Sequence, residues 1–246
     1  MAIRTYNGNE LNNFRQGEIL SEGEEPLDLT WRMYGNGGND TLIGANFNDT
    51  IDGGTGNDSL EGSLGNDQIA GREGNDLLFG DLGNDVIFGG PGDSGNDSLN
   101  GGSGNDFLYS GDGNDIMNGG DGDDLLTDFS GSDRINGGNG NDRLVGKEFI
   151  SSNPAEKDTL TGGSGADDFV LWSEDAVQDS RVIDDGMFVI TDFSRQEGDK
   201  IQVVGNSGDF STFVVFGETA ILFQNEIIGV VTNTIDVNIA DDFEFI

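Results

Sequence analysis

The fold is decided by residues 53–79, which form three successive blocks of nine: GGTGNDSLE, GSLGNDQIA and GREGNDLLF. Each block carries glycine at its first and fourth positions, aspartate at its sixth and an apolar residue at its eighth. Glycine adopts positive φ without steric cost, and asparagine, which often precedes the aspartate, is the next best residue there. The last three residues alternate as in a half-buried strand. Each block therefore predicts a six-residue turn followed by a three-residue strand.

The pattern extends on both sides of this stretch to fourteen units, interrupted by a three-residue insertion and a seven-residue insertion. The sixth-position aspartates are Asp40, Asp49, Asp58, Asp67, Asp76, Asp85, Asp97, Asp106, Asp115, Asp124, Asp133, Asp142, Asp158 and Asp167. The residue two places after each aspartate is apolar in every unit. Because only 33% of the chain is hydrophobic, this agreement indicates a structural period and not a disordered Gly/Asp tract.

Two units suffice for one coil of a solenoid with a strand on each of two faces, so fourteen units predict about seven coils. Aspartates eighteen residues apart, such as Asp58 and Asp76, would then stack about 4.8 Å apart and repel by about 0.9 kcal/mol in water. A hard divalent cation between the turns removes this repulsion, and an all-oxygen ligand set suits calcium. We therefore expect the metal-free fold to fail and calcium binding to be coupled to folding.

Composition excludes several classes of function. The 246 residues include no Cys and no His, which excludes disulfide frameworks, thiolate metal sites and catalysis by imidazole. The formal charge of −36 disfavours nucleic acid and anionic membranes as partners. No stretch approaches 18 apolar residues, and the first twenty residues lack the apolar core of a secretory signal peptide. We therefore expect neither a membrane span nor an obvious N-terminal export signal.

These units resemble the RTX (haemolysin-type) nonapeptide GGxGxDxUx over roughly residues 35–170. The resemblance implies an all-β fold, a right-handed parallel β-roll solenoid of about seven coils that binds calcium. It further implies that the fourteen aspartates supply side-chain ligands and that the glycine turns supply main-chain oxygens. The candidate glycines are Gly53, Gly56, Gly71, Gly74, Gly101, Gly104, Gly119, Gly122, Gly137 and Gly140.

Three turns depart from the pattern and make calcium binding doubtful there. Phe47 replaces a fourth-position glycine, Asp128 and Phe129 replace the glycine pair before Asp133, and residues 147–157 interrupt the turn before Asp158. Gaps between seven turns on each of two edges allow at most about twelve sites, of which we expect roughly eight to ten to be filled.

The flanks differ in composition from the repeats. We predict an N-terminal capping segment over residues 1–34, the β-roll over 35–170 and a β-rich cap of antiparallel strands over 171–246. Leu27, Leu29 and Trp31 alternate as in a capping strand. The tail at residues 241–246, DDFEFI, is similar to the uncleaved C-terminal signal of type I secretion substrates, and a last edge strand of the cap explains it equally well.

Outward positions on one face place five apolar residues close together, and a contiguous apolar patch usually meets another surface. We expect this patch to be covered by a terminal segment or by a partner chain. Its members are Val86, Phe88, Phe107, Tyr109 and Leu125.

Three classes of function compete. The leading hypothesis is a secreted, non-enzymatic calcium-binding protein, exported by a type I route and folded outside the cell or at the cell surface. The alternative is an adhesion or polysaccharide-binding module, similar in outline to the repeat modules of alginate-modifying enzymes and part of a larger secreted hydrolase or epimerase. The third class is an enzyme that uses two carboxylates, but among 47 acidic residues some pair lies at any chosen spacing, so spacing does not indicate a catalytic pair. The sequence also shows no isolated carboxylate in an apolar cleft, and catalysis is therefore not expected. The sequence does not fix the biological partner or the oligomeric state.

Overall fold

The computed structural model describes residues 2–9, 11, 14–16, 29–90, 92, 94–146, 156–171, 187–203, 207–215, 218–223, 226–232, 234 and 237–245. Up to residue 203, consecutive strands alternate between two sheets, so each pair of strands completes one coil. The first sheet contains β1 (Ala2–Asn7), β3 (Leu29–Gly37), β5 (Thr50–Thr55), β7 (Gln68–Glu73), β9 (Val86–Gly90), β11 (Phe107–Gly111), β13 (Leu125–Thr127), β15 (Arg143–Val145), β17 (Asp168–Val170), β19 (Lys200–Val203) and β23 (Phe243–Phe245). This alternation is the coil that the eighteen-residue spacing predicts.

The second sheet completes the coils. It contains β2 (Phe14–Gln16), β4 (Thr41–Ile43), β6 (Ser59–Leu64), β8 (Leu77–Leu82), β10 (Ser98–Ser103), β12 (Ile116–Asp121), β14 (Arg134–Asn139), β16 (Lys157–Ser164), β18 (Met187–Ile190), β20 (Phe210–Val215), β21 (Glu218–Phe223) and β22 (Glu226–Val231). The fourteen units form β4 to β17, seven strands in each sheet, all paired in parallel. The predicted all-β parallel roll is confirmed.

The core consists mainly of two columns of apolar side chains, one from each sheet, that meet between the sheets. The eighth-position residues stack in register, as Leu60 pairs with Leu78, and all of them are at most 1% exposed. They are Leu42, Ile51, Leu60, Ile69, Leu78, Ile87, Leu99, Leu108, Met117, Leu126, Ile135, Leu144, Leu160 and Phe169. Because each unit contributes a single side chain to this core, the turns must supply much of what holds the coils together.

Several strands are longer than the predicted three residues. Strands such as β6 and β8 span six residues, because the first half of the following turn remains paired with the next coil. Gly54, for example, pairs with Arg72. The turn proper is therefore shorter than six residues and carries the aspartate at its end.

Part of the C-terminal prediction was wrong. Strands β18 and β19 pair in parallel with β16 and β17, so the roll continues past residue 170. Only β20, β21 and β22 form an antiparallel meander, and β22 also pairs in parallel with β18. The sequence of apolar runs could not reveal this, since buried parallel and antiparallel strands look alike in composition.

The two ends of the chain also add parallel strands. β3 spans both sides of the predicted boundary at residue 34, and Leu27 lies outside the described residues. Near the C-terminus, a four-residue helix, Ile239–Asp242, leads into β23, which pairs with β19. The described part of the tail is thus an edge strand. Among the described residues, no helix has the length and apolar character needed to cross a bilayer.

Candidate metal centre

The repeat aspartates lie at the ends of the turns, in two rows that we call rims. The first rim consists of Asp40, Asp58, Asp76, Asp97, Asp115, Asp133 and Asp158, which lead into strands of the second sheet. The second rim consists of Asp49, Asp67, Asp85, Asp106, Asp124, Asp142 and Asp167, which lead into the first sheet. All fourteen carboxylates are at most 4% exposed. Buried carboxylates in such numbers require partners for both of their oxygens.

In thirteen of these carboxylates, from Asp49 to Asp167, one oxygen accepts a backbone amide of the preceding coil. The amide of Asp40 donates to Oδ1 of Asp58 at 2.7 Å, and the amide of Asp58 donates to Oδ1 of Asp76 at 2.8 Å. The second rim repeats this, with the amide of Asp67 donating to Oδ1 of Asp85 at 2.7 Å. We call this series of hydrogen bonds the aspartate ladder. It fixes the first oxygen of the carboxylate, whereas the surroundings of the second oxygen vary from turn to turn.

The second oxygen has no hydrogen-bond partner in many of the turns. The Oδ2 atoms of seven such aspartates are buried in this state: Asp58, Asp67, Asp85, Asp106, Asp124, Asp142 and Asp167. Leaving a buried charged oxygen unsatisfied is costly, so these atoms are suited to bind a cation.

The first-position glycines create the space beside these oxygens. A Cβ on Gly53 would overlap Oδ2 of Asp58 and would lie 2.9 Å from the carbonyl oxygen of Gly71 in the next coil. Gly62 stands in the same relation to Asp67 and to the carbonyl of Gly80. A carboxylate oxygen and a main-chain carbonyl of the following coil therefore converge beside the glycine Cα, where a larger residue would overlap them, and both are ligands that calcium prefers.

All ten glycines in the predicted set lie in these turns. The first-position members Gly53, Gly71, Gly101, Gly119 and Gly137 each face the Oδ2 of the aspartate five residues later. The fourth-position members Gly56, Gly74, Gly104, Gly122 and Gly140 have positive φ, and a Cβ on any of them would overlap a carbonyl of the preceding coil. The turns are thus packed backbone against backbone, and their ligand role stays a proposal.

A second ladder is formed by asparagines next to the aspartates. The amide of Asn57 donates to Oδ1 of Asn39, and the amide of Asn75 donates to Oδ1 of Asn57, both at 3.0 Å. The expectation that asparagine serves here for its tolerance of positive φ was wrong, since φ is positive at neither Asn57 nor Asn75. Asparagine is useful instead because its carbonyl oxygen accepts the amide of the following coil.

One member of the aspartate ladder escaped the sequence analysis. Asp199 is 3% exposed, and its Oδ1 accepts the amide of Asp167 at 3.1 Å. The signal existed, because Asp199 is followed two residues later by Ile201, which is fully buried. It was missed because the interval from Asp167 breaks the spacing of nine. Its Oδ2 already accepts the amide of Ser194 at 2.7 Å.

The turn that contains Phe47 differs from its neighbours. Oδ2 of Asp49 accepts the amide of Ala45 at 2.8 Å, and its Oδ1 accepts the amide of Trp31 at 2.6 Å. Both oxygens of this carboxylate are therefore engaged by the backbone. The interruption before Asp158 lies largely outside the described residues, while Oδ1 of Asp158 accepts the amide of Asp133 at 3.1 Å.

Burial raises the pKa of several ladder carboxyls from their ordinary value of 3.8. The pKa of Asp67 is raised to about 8, first by desolvation and then by the carboxylates of Asp85 and Asp49, against the lowering effect of the Asp49 amide. The pKa of Asp124 is raised to about 7 with desolvation again the largest cause. Those of Asp58 and Asp142 are raised to about 6. Without a cation, the turns hold protons more readily than the unfolded chain does.

This difference predicts how pH acts on the metal-free protein. A carboxyl whose pKa is raised by folding stabilises the folded state below the unfolded pKa near 4, and this stabilisation is lost as pH rises through the folded values of about 6 to 8. In metal-stripped protein, which we expect to be unfolded near pH 7.5, the β-sheet signal in circular dichroism is therefore expected to grow as the pH is lowered from 8 to 5. A signal that stays constant or decreases as the pH is lowered over this range would contradict the prediction.

The five residues of the predicted apolar patch do lie together on the first sheet. Phe107 pairs with both Val86 and Leu125, and Tyr109 pairs with Phe88. The Phe88 ring meets that of Phe107 edge to face at 5.9 Å between centroids. All five side chains are partly buried. That a segment or partner covers them stays a prediction.

The comparisons with known proteins agree with this geometry. A family model of the RTX calcium-binding nonapeptide repeat, in four copies, matches residues 34–69, 61–94, 91–126, 128–148 and 155–173. A comparison with curated proteins found no match. The matched segments cover more than half of the chain and coincide with the turns and strands of the rims. The chain therefore belongs to the family of RTX calcium-binding nonapeptide repeat proteins.

Proposed function

We propose that this protein is a secreted calcium-binding β-roll that folds when calcium fills its turns outside the cell and that serves a structural or interaction role without catalysis. The observation that carries the proposal is the row of buried Oδ2 atoms without hydrogen-bond partners, each beside a glycine that leaves room for an ion. Bound calcium supplies the positive charge that these carboxylates need. The chain's part is to hold one carboxylate oxygen by a backbone amide and to direct the other toward the neighbouring coil.

The turns differ in how well they suit an ion. Asp58, Asp67, Asp85 and Asp142 combine an unpartnered Oδ2 with a nearby carbonyl of the next coil. Asp49 does not, because Ala45 already donates to its Oδ2. This uneven supply of oxygens supports a count of roughly eight to ten ions, below the maximum of about twelve.

Coupled folding fits export from a compartment poor in calcium. Sites that draw most of their ligands from main-chain carbonyls and single carboxylates are weak, in the range of about 10⁻⁴ to 10⁻³ M typical of extracellular modules. Such sites stay empty inside the cell and fill outside it. A type I route with a C-terminal signal in residues 241–246 is consistent with this order of events, since β23 joins the sheet only in the folded state.

A comparison of two aspartates on the same rim tests the ligand assignment. Asp67→Asn keeps an oxygen for the amide of Asp49 but removes the charge at an unpartnered Oδ2. We expect it to raise the calcium concentration at the folding midpoint at least about threefold. Asp123→Asn is the matched control, because this exposed residue lies in a turn of the same rim and the substitution removes a charge while keeping an oxygen for the Asn141 amide, and we expect a smaller shift. Equal midpoints for the two variants in a calcium titration followed by circular dichroism would refute the assignment.

A further inference from the structure

The turn at residues 128–133 has a side chain where regular turns have none. It reads DFSGSD, so Asp128 occupies the first position. In a regular turn such as that of Gly119, the aspartate Oδ2 lies so close to the first-position Cα that a Cβ would overlap it. Asp128 is nevertheless fully buried at 0% exposure. The turn has therefore been rebuilt around an additional carboxylate.

Asp128 brings three carboxylates together. One oxygen each of Asp115, Asp128 and Asp133 lie within 4.8 Å of one another, and these residues are at most 1% exposed. Asp115 and Asp133 are neighbours on the first rim, joined by the amide of Asp115, which donates to Oδ1 of Asp133 at 2.5 Å. Asp128 thus adds its charge to a pair that already belongs to the aspartate ladder.

The adjoining coil carries a matching departure. Ser110 occupies the first position of the turn before Asp115, is also 0% exposed, and donates from Oγ to Oδ1 of Asp128 at 3.1 Å. The backbone amide of Asp128 donates to the carbonyl of Val145 at 3.0 Å. Both the main chain and Oδ1 of Asp128 are therefore fixed, which holds its carboxylate in one orientation.

The oxygen that remains points to a ligand. Oδ2 of Asp128 is buried and meets no amide or hydroxyl donor among the described residues, and the carboxyl of Asp133 lies beside it. Like charges this close and this far from water are tolerated when a cation lies among them. We propose that Asp128 adds a third carboxylate to the repeat position between Asp115 and Asp133, so that three carboxylates surround one calcium ion there and bind it more tightly than any regular turn does.

The expectation that calcium is doubtful at this turn is thereby reversed for a stated reason. The sequence comparison counted Asp128 as the loss of a glycine, whereas the fold makes it the gain of a ligand. Affinity for calcium rises with the number of charged ligands. Each regular turn supplies one carboxylate, whereas the turn at residues 128–133 supplies two, which join that of Asp115. The inference rests on the proposed function to the extent that the turns must form for the site to exist.

Calcium titration by calorimetry, with ions counted by native mass spectrometry, tests the proposal. The wild-type protein is expected to bind one ion at least about tenfold more tightly than the others. Asp128→Gly restores the repeat residue and Asp128→Asn keeps the size of the side chain while removing its charge. Each is expected to lose the tight ion. Asp123→Asn is the control, since it removes a nearby exposed charge while retaining an oxygen for the Asn141 amide.

Two results would overturn the proposal. One is wild-type binding in which all ions form a single class of affinity, a measurement that needs no variant to fold. The other is a full count of ions with unchanged tight binding in either Asp128 variant. If calcium leaves the wild-type circular dichroism unchanged, the proposed function fails instead, so the two failures are distinguishable.

Discussion

Removal of calcium at pH 7.5 is expected to abolish the β-sheet signal of this protein, and addition of millimolar calcium is expected to restore it. The reason lies in the rims, where buried carboxylates face one another from coil to coil and their Oδ2 atoms have no hydrogen-bond partner in seven of the turns. Each unit contributes only one buried apolar side chain to offset this repulsion. The transition is expected to be complete and cooperative in far-ultraviolet circular dichroism.

Magnesium at the same concentration is the control for this experiment. It demands octahedral geometry and releases its waters reluctantly, so a site built from carbonyls and single carboxylate oxygens should not order around it. A sheet spectrum that persists after exhaustive dialysis against EDTA would contradict the coupling of folding to calcium. Recovery with magnesium would contradict the assignment of the ion.

Alanine at a fourth-position glycine is expected to cause the largest effect of any single substitution in the turns. Gly83 has a φ of +142°, and a Cβ there would overlap the carbonyl oxygen of Gly65 in the preceding coil. The backbone at Gly83 cannot move away without breaking the hydrogen bonds that join this turn to the coils on both sides. We expect Gly83→Ala to lower the calcium-saturated stability by about 2 to 4 kcal/mol, measured by urea unfolding.

Gly208→Ala is the matched control for this substitution. Gly208 is exposed, its φ is not positive, and an added Cβ meets no atom within 4 Å. We expect its stability to remain within about 0.5 kcal/mol of wild type. If the two variants unfold at the same urea concentration, the close packing of carbonyls across the turns is not what constrains these glycines.

The repeat could be predicted because the interval of nine residues specifies three structural features together. The interval of nine fixes the core residue, the alternation of sheets and the position of the carboxylate, and the structure confirms the fold that follows from them. Leu60 and Leu78 illustrate this, since they pair directly across neighbouring coils. The aspartates were correctly expected to stack, but their burial and the amide held by each Oδ1 depend on the turn conformation, which spacing does not encode.

Residues outside the spacing were predicted less well. Asp199 belongs to the aspartate ladder, yet it follows a long interval that hides its register. The asparagines were explained by backbone preference, whereas they bond to the next coil. At Asp128 the repeat consensus shows only the loss of a glycine, and our proposal that this residue is a ligand rests on neighbours, such as Ser110, that the consensus does not include.

The two ladders run in opposite senses, and this gives the molecule a direction. The amide of each aspartate needs the carboxylate of the coil that follows it, while the amide of each asparagine needs the side chain of the coil before it. If coils form in order from the N-terminal end, the aspartate amide of the last coil has no carboxylate acceptor until the following coil forms. Asp199 ends the series, because its carboxylate accepts the amide of Asp167. The aspartate ladder of the repeats is therefore complete only when the coil that contains Asp199 has formed.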